Sequence, residues 1–103
     1  MLLKIGIIGL GNIGQDHAYR CHKILNGVEL TAVSDVNIQS SKKFLESHNM
    51  QKTTLFANSI EMIQSEMVEA VIIASSDFTH QELVMQAMDF GKPIFCEKPL
   101  ALN

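Results

Sequence analysis

An isoleucine-rich run that ends in glycines at fixed spacing leaves this chain few ways to fold. Residues 2–9, "LLKIGIIG", carry one charged side chain, which suits a strand buried on both faces and so a parallel sheet covered by helices. "GLGNIG" (9–14) follows at once with the pattern GxGxxG. Between a strand and a helix, Gly9 permits a tight turn, Gly11 lets the backbone approach a bound group, and Gly14 lets helix and strand pack closely. The free N–H groups and positive dipole end of such a helix, which begins with Asn12 and Ile13, suit a pyrophosphate. An ordinary glycine-rich turn is the alternative at this point.

The remaining chain repeats the same alternation. A helix is expected from Asn12 to about Asn26, where Asn26-Gly27 supplies a stop, and "VELTAVSD" (28–35) is the second strand. A second helix starts near Asn37 and turns Phe44 and Leu45 inward. "TTLF" (53–56) is a short third strand, and Asn58-Ser59-Ile60-Glu61 has the form of a capping box. "VEAVIIAS" (68–75) is the fourth strand. Thr79-His80-Gln81-Glu82 is a second capping box, opening a helix with Leu83, Val84, Ala87 and Met88 on one face, and Pro93 to Cys96 is the fifth strand. Strands separated by helices imply right-handed parallel crossovers. The fold class is α/β: a doubly wound, Rossmann-type sheet with the expected order 3-2-1-4-5.

The chain has 103 residues, so a single domain is expected, burying roughly 65% of its unfolded surface. A net charge of -3 argues against nucleic acid as a partner. Cys21 and Cys96 form no CxxC pair, and none of the four histidines pairs at i, i+4, so reduced thiols and no metal site are expected. Lys4 interrupts the apolar start, which lacks the parts of a signal peptide and is too short to span a bilayer. A cytoplasmic protein without membrane attachment is the expectation.

Asp35 stands 21 residues beyond Gly14, at the end of the second strand. An acid there can accept hydrogen bonds from both hydroxyls of an adenosine ribose, and its charge opposes a 2′-phosphate, so NAD is favoured over NADP. Val36 lies beside it. "ASSDFTH" (74–80) ends the fourth strand on the carboxyl edge, where ligands of open α/β sheets bind. Ser75 and Ser76 could donate hydrogen bonds to a cofactor, and His80 is either a cleft residue or plain helix surface. The fifth strand delivers Glu97-Lys98-Pro99 to the same edge. Lys98 could stabilise a developing alkoxide or take part in proton transfer, with Glu97 orienting it; a solvated charged turn is the alternative. Pro99 is a candidate for a cis bond.

"KIGIIGLGNIGQDH", "VELTAVSDVN", "VIIASSDFTH" and "GKPIFCEKPLAL" together resemble the N-terminal domain of the Gfo/Idh/MocA oxidoreductase family, and "IGQDHAYR" with "AVSDVN" resembles its inositol dehydrogenase branch. The resemblance covers essentially the whole chain. It implies an NAD-dependent oxidoreductase acting on a polyol or sugar hydroxyl. Gly9, Gly11 and Gly14 would hold the pyrophosphate and Asp35 the ribose. Ser75 and His80 would line the cofactor cleft, Glu97 would lie near the nicotinamide ribose, and Lys98 would be the catalytic lysine. Family members are more than three times as long, and their second domain supplies most substrate contacts. Residues 1–103 are therefore expected to be a truncated dinucleotide-binding domain, taking a polyol or sugar substrate only when a C-terminal domain is supplied. Without a sixth strand the edge at "PIFC" is expected to be open, a route to a homo-oligomer. Three readings follow: the family's hydride transfer, an NAD-binding module without turnover (a natural truncation or half of a split enzyme), and an inert remnant.

Overall fold

The computed structural model describes residues 2–24, 26–74 and 80–96. Its strands are β1 (Leu3–Ile8), β2 (Val28–Ser34), β3 (Thr54–Phe56), β4 (Ala70–Ile73) and β5 (Ile94–Cys96). All pair in parallel in one sheet of order β3-β2-β1-β4-β5, as the alternation of runs implied. The helices are α1 (Asn12–Tyr19), α2 (Ile38–Ser47), α3 (Ser59–Gln64) and α4 (His80–Asp89).

Two cores lie on opposite faces of the sheet because successive strand residues point to opposite sides. Ile5, Ile7, Leu30, Val33 and Ile72 meet Ala18 of α1 and Phe44 and Leu45 of α2 on one face. Ile8, Ala32, Val71 and Ile73 meet Met62 and Ile63 of α3 and Leu83 and Ala87 of α4 on the other. Right-handed crossovers require this division, since the strand order runs outward from β1 in both directions. Ile7 and Ile73 are fully buried, and each contributes on the order of 2 kcal/mol from burial. Gly6 leaves room for α3: a Cβ there would stand 3.0 Å from Met62 Cε and from Val68 Cγ2.

Polar side chains set the element ends. Asn37 Oδ1 accepts the Ser40 N–H at the start of α2, and Asn58 Oδ1 accepts the N–H groups of Ile60 and Glu61 at the start of α3. The capping position expected at Asn58 is therefore occupied as such. Thr79, the cap expected for α4, lies outside the described residues.

Two boundaries and one helix face differ from expectation. The first helix stays α-helical only to Tyr19, and Arg20–Ile24 form a π-helical turn. That widened turn keeps Cys21 in the core, 4% exposed, as the chain swings through Gly27 (φ 86°) into β2. The fourth strand spans 70–73 rather than 68–75, because Val68 belongs to a turn in which its N–H donates to the Ser65 carbonyl. Met88 points outward, 66% exposed, instead of joining the inner face of α4. It lies 100° around the helix from Ala87 and 140° from Leu83, beyond the stripe those residues define.

β5 is the last strand of the sheet on its side, and Phe95 on it is exposed. Among the described residues no helix is long and apolar enough to cross a membrane.

Candidate functional site

The carboxyl ends of β1 and β2 bring the two halves of the sequence fingerprint together. β1 leaves the sheet at Gly9, whose φ of 94° lies in the region that only glycine enters without strain. Its N–H donates to the Ser34 carbonyl at 2.7 Å, which ties the start of the turn to the end of β2. Ser34 is itself buried, its hydroxyl 2.8 Å from that of Ser59. One residue further, Asp35 accepts the Leu10 N–H on Oδ2 at 2.5 Å and the Asn37 N–H on Oδ1 at 2.8 Å. A carboxylate offers about four acceptor sites, so two N–H groups leave room for about two more donors.

The three glycines stand in their places for different reasons. At Gly14 a Cβ would overlap the Gly9 carbonyl oxygen and lie 2.8 Å from its carbon, so α1 can cross the turn this closely only over a glycine. At Gly11 neither cause applies. Its φ of -74° and ψ of -165° suit any residue, and a Cβ there would meet nothing within 4 Å. Among the described residues, the space above Gly11 is open.

That space lies at the N-terminus of α1. Gly11 is the N-cap, with no side chain to cap the helix, and the first turn carries no acid. By helix geometry the N–H groups of Asn12, Ile13 and Gly14 have no acceptor inside α1. Donors free of the helix ladder, a positive dipole end and an open cradle together suit an anion. Across the sheet Ala74 continues β4, its N–H donating to the Ile8 carbonyl, so the β4 end opens beside the glycine turn. Between β1 and β4 the strand order reverses direction, the position at which open α/β sheets bind nucleotides.

The structure thus brings Gly9, Gly11, Gly14 and Asp35 to one edge, together with the backbone of Asn12 and Ile13. Val36 follows Asp35 and is almost wholly exposed, 97%. His80 opens α4, and its side chain lies outside the described residues, as do Ser75, Ser76, Glu97, Lys98 and Pro99. Arg20 is a helix-surface residue, paired with Asp16 at 3.1 Å. Lys42 and Lys43 are exposed on α2. A groove of about 430 Å³ lies elsewhere, between α2 and β3, lined by Leu45, Met50 and Leu55 with Lys42 and Glu46. It contains neither the glycine turn nor Asp35.

One participant carries no signal in the sequence. Gln15, in the first turn of α1, donates from Nε2 to the Leu10 carbonyl at 3.1 Å. A glutamine after GxGxxG reads as any helix residue, and only the folded turn shows what its amide reaches.

The sheet order, the turn and the acid at the end of β2 define a dinucleotide-binding domain of the doubly wound class. Comparison with known proteins narrows this. A family model, the oxidoreductase family with NAD-binding Rossmann fold (Gfo/Idh/MocA), matches residues 3–103, and the chain belongs to that family. Inositol 2-dehydrogenase of Azotobacter vinelandii is 43% identical over 103 residues, covering 100% of this chain and 30% of that protein. The Agrobacterium fabrum inositol 2-dehydrogenase is 45% identical over 101 residues, covering 98% of this chain and 30% of that protein. Among solved structures, myo-inositol dehydrogenase from Lactobacillus casei, in complex with NAD(H) and myo-inositol, superimposes with a TM-score of 0.89 at 31% identity, over 98% of this chain and 30% of that one. The chain therefore spans about 30% of the length of the relatives it matches.

Proposed function

We propose that residues 1–103 bind NAD at the carboxyl edge of the sheet and serve as the cofactor-binding part of a polyol dehydrogenase of the inositol type. The observation that carries the reading is Gly11. Among the described residues nothing requires a glycine there, since its backbone angles are ordinary and no described atom lies in its Cβ direction. A bound pyrophosphate lying against the backbone supplies the requirement.

In this reading the N–H groups at the start of α1 hold the pyrophosphate, and Gly9 and Gly14 shape the turn that presents them. Asp35 takes the adenosine ribose hydroxyls on the acceptor sites that Leu10 and Asn37 leave open. Exposed Val36 offers an apolar surface beside that ribose. Ser75, His80 and Glu97 belong to the cleft by resemblance and Ser76 by its place in the sequence after the fourth strand, and Lys98 assists loss of the substrate hydroxyl proton. When bound, the nicotinamide supplies a hydride acceptor. A 2′-phosphate on the ribose would stand against the Asp35 carboxylate, an anion pair costing several kcal/mol in a partly dry site, so NAD is preferred to NADP. A cytoplasmic setting fits Cys21, a free thiol held in the core.

A second reading is favoured by the 30% span: these residues alone bind NAD without turnover, and hydride transfer belongs to a protein in which substrate-holding groups join them. Orientation of the substrate accounts for on the order of several kcal/mol of such catalysis. Calorimetric titration with NAD and NADP tests the binding. NAD binding at least about tenfold tighter than NADP is expected, a ratio worth 1.4 kcal/mol. A folded chain that bound neither would sink the proposal, and tighter NADP binding would overturn the role of Asp35. Production of NADH by the purified chain across a polyol panel would decide against the second reading.

A further inference from the structure

Leu10, between the first two glycines of the turn, is held at both ends of its backbone. Its N–H donates to Asp35 Oδ2, and its carbonyl accepts from Gln15 Nε2 at 3.1 Å. Its side chain is 6% exposed and packs in the core shared with Ile7 and Ala18. The Leu10 carbonyl and the Gly11 N–H belong to one planar trans peptide, in which they point in opposite directions. Fixing the carbonyl toward Gln15 therefore fixes the Gly11 N–H away from it. Gly11 has no Cβ to resist a flip of that peptide, so its side-chain-free backbone cannot hold the plane unaided.

We propose that Gln15 is a positioning residue for the glycine turn: by holding the Leu10 carbonyl it keeps the Leu10–Gly11 peptide presenting an N–H, and not a carbonyl oxygen, to the pyrophosphate of a bound dinucleotide. This rests on the NAD-binding reading above. Asp35 acts on the preceding peptide, so Leu10 is gripped by a carboxylate at its N–H and by an amide at its carbonyl. A flipped peptide would turn its oxygen, a partial negative charge, toward the anionic phosphates.

The test uses the isotope-labelled chain, titrated with NAD, ADP and adenosine while amide signals are followed by NMR. Gln15→Met keeps the length of the side chain and removes the donor; Gln15→Glu puts a charged acceptor against the Leu10 carbonyl. Gln15→Met is expected to weaken NAD and ADP about fivefold, the scale of one neutral hydrogen bond, and Gln15→Glu to weaken them further. Adenosine, which lacks a pyrophosphate, is expected to bind wild type and both variants alike. A residue that merely stabilised the fold would weaken all three ligands together, and that outcome overturns the proposal. So does NAD affinity unchanged in both variants while wild type binds, which leaves the NAD-binding reading standing. Failure of wild type to bind NAD or ADP overturns that reading and this one with it. Should Gln15→Met lose its folded spectrum, Gln15→Ala takes its place.

Discussion

An alanine at position 11 distinguishes a glycine kept for a ligand from one kept for the fold. The backbone there is extended at φ -74° and ψ -165°, which any L-residue adopts, and among the described residues the added methyl would meet nothing within 4 Å. Two small effects act on stability. Glycine is the better N-cap, by on the order of 1 kcal/mol, whereas alanine lowers the entropy of the unfolded chain by about 0.4–1 kcal/mol. They oppose each other, so Gly11→Ala is expected to unfold within about 0.5 kcal/mol of wild type. Binding is another matter. The methyl would project into the space over the uncapped start of α1, where in the proposed reading a phosphate oxygen would accept N–H bonds. One hydrogen bond to a charged oxygen is worth about 1.5–3 kcal/mol, so NAD affinity is expected to fall about 10- to 100-fold. Urea unfolding followed by circular dichroism gives the first quantity and calorimetric titration the second. Near-wild-type NAD affinity in the variant would refute the reasoning, as would a loss of stability above about 2 kcal/mol.

Gly14→Ala makes the contrast. Its methyl would overlap the Gly9 carbonyl oxygen, and backbone cannot rotate aside as a side chain can. Overpacking costs about 1–3 kcal/mol and helix propensity returns up to about 1, so urea unfolding should show a net loss of about 2 kcal/mol, with NAD binding lost as α1 moves off the turn. Asn58→Ala removes an acceptor for the Ile60 and Glu61 N–H groups and should cost about 1 kcal/mol in the same assay, with NAD binding unchanged. Burial pushes the Cys21 thiol pKa up from its ordinary value, so a disulfide reagent at about pH 8 should react with it only as the chain unfolds. The same shift makes the neutral thiol the form that the folded state favours. Its contribution to stability is complete below the ordinary thiol range and is lost as pH rises through the higher folded value, which unfolding at increasing alkaline pH in a Cys21→Ser background would separate from other groups.

Much of the sheet is legible in the order of the amino acids. Period-two burial is invisible in strands covered on both faces, but short apolar runs separated by helical stretches suffice to order the sheet, because crossovers have one hand. Asp35 is legible through its distance from Gly14 and its place at a strand end. The glycine pattern already gives its members different ends, and the fold adds the physical cause: Gly9 answers to a dihedral angle, Gly14 to a carbonyl oxygen, and Gly11 to neither. Gln15 is silent in the sequence because a hydrogen bond to backbone leaves no pattern of side chains to recognise. The π-helical turn at Arg20–Ile24 reads as plain helix, since apolar spacing reports which face is buried and not how many residues fill a turn. Met88 reads as core for a related reason. A stripe drawn over four residues tolerates an error of angle that packing against β4 and β5 does not.

The two N–H groups on the Asp35 carboxylate have a consequence for anyone who would redesign this domain to accept a phosphorylated ribose. The obvious substitution removes the negative charge, and with it the acceptor for Leu10, a residue already closed off from water. If Asp35 holds the ribose as proposed, selectivity and the order of the turn are written into one side chain and change together. A lineage drifting from one cofactor to the other must replace the lost acceptor in the same step or lose affinity for both. Serine, which keeps an oxygen on a short side chain, is a less damaging exchange than alanine, and a cation added nearby does not by itself repair the turn.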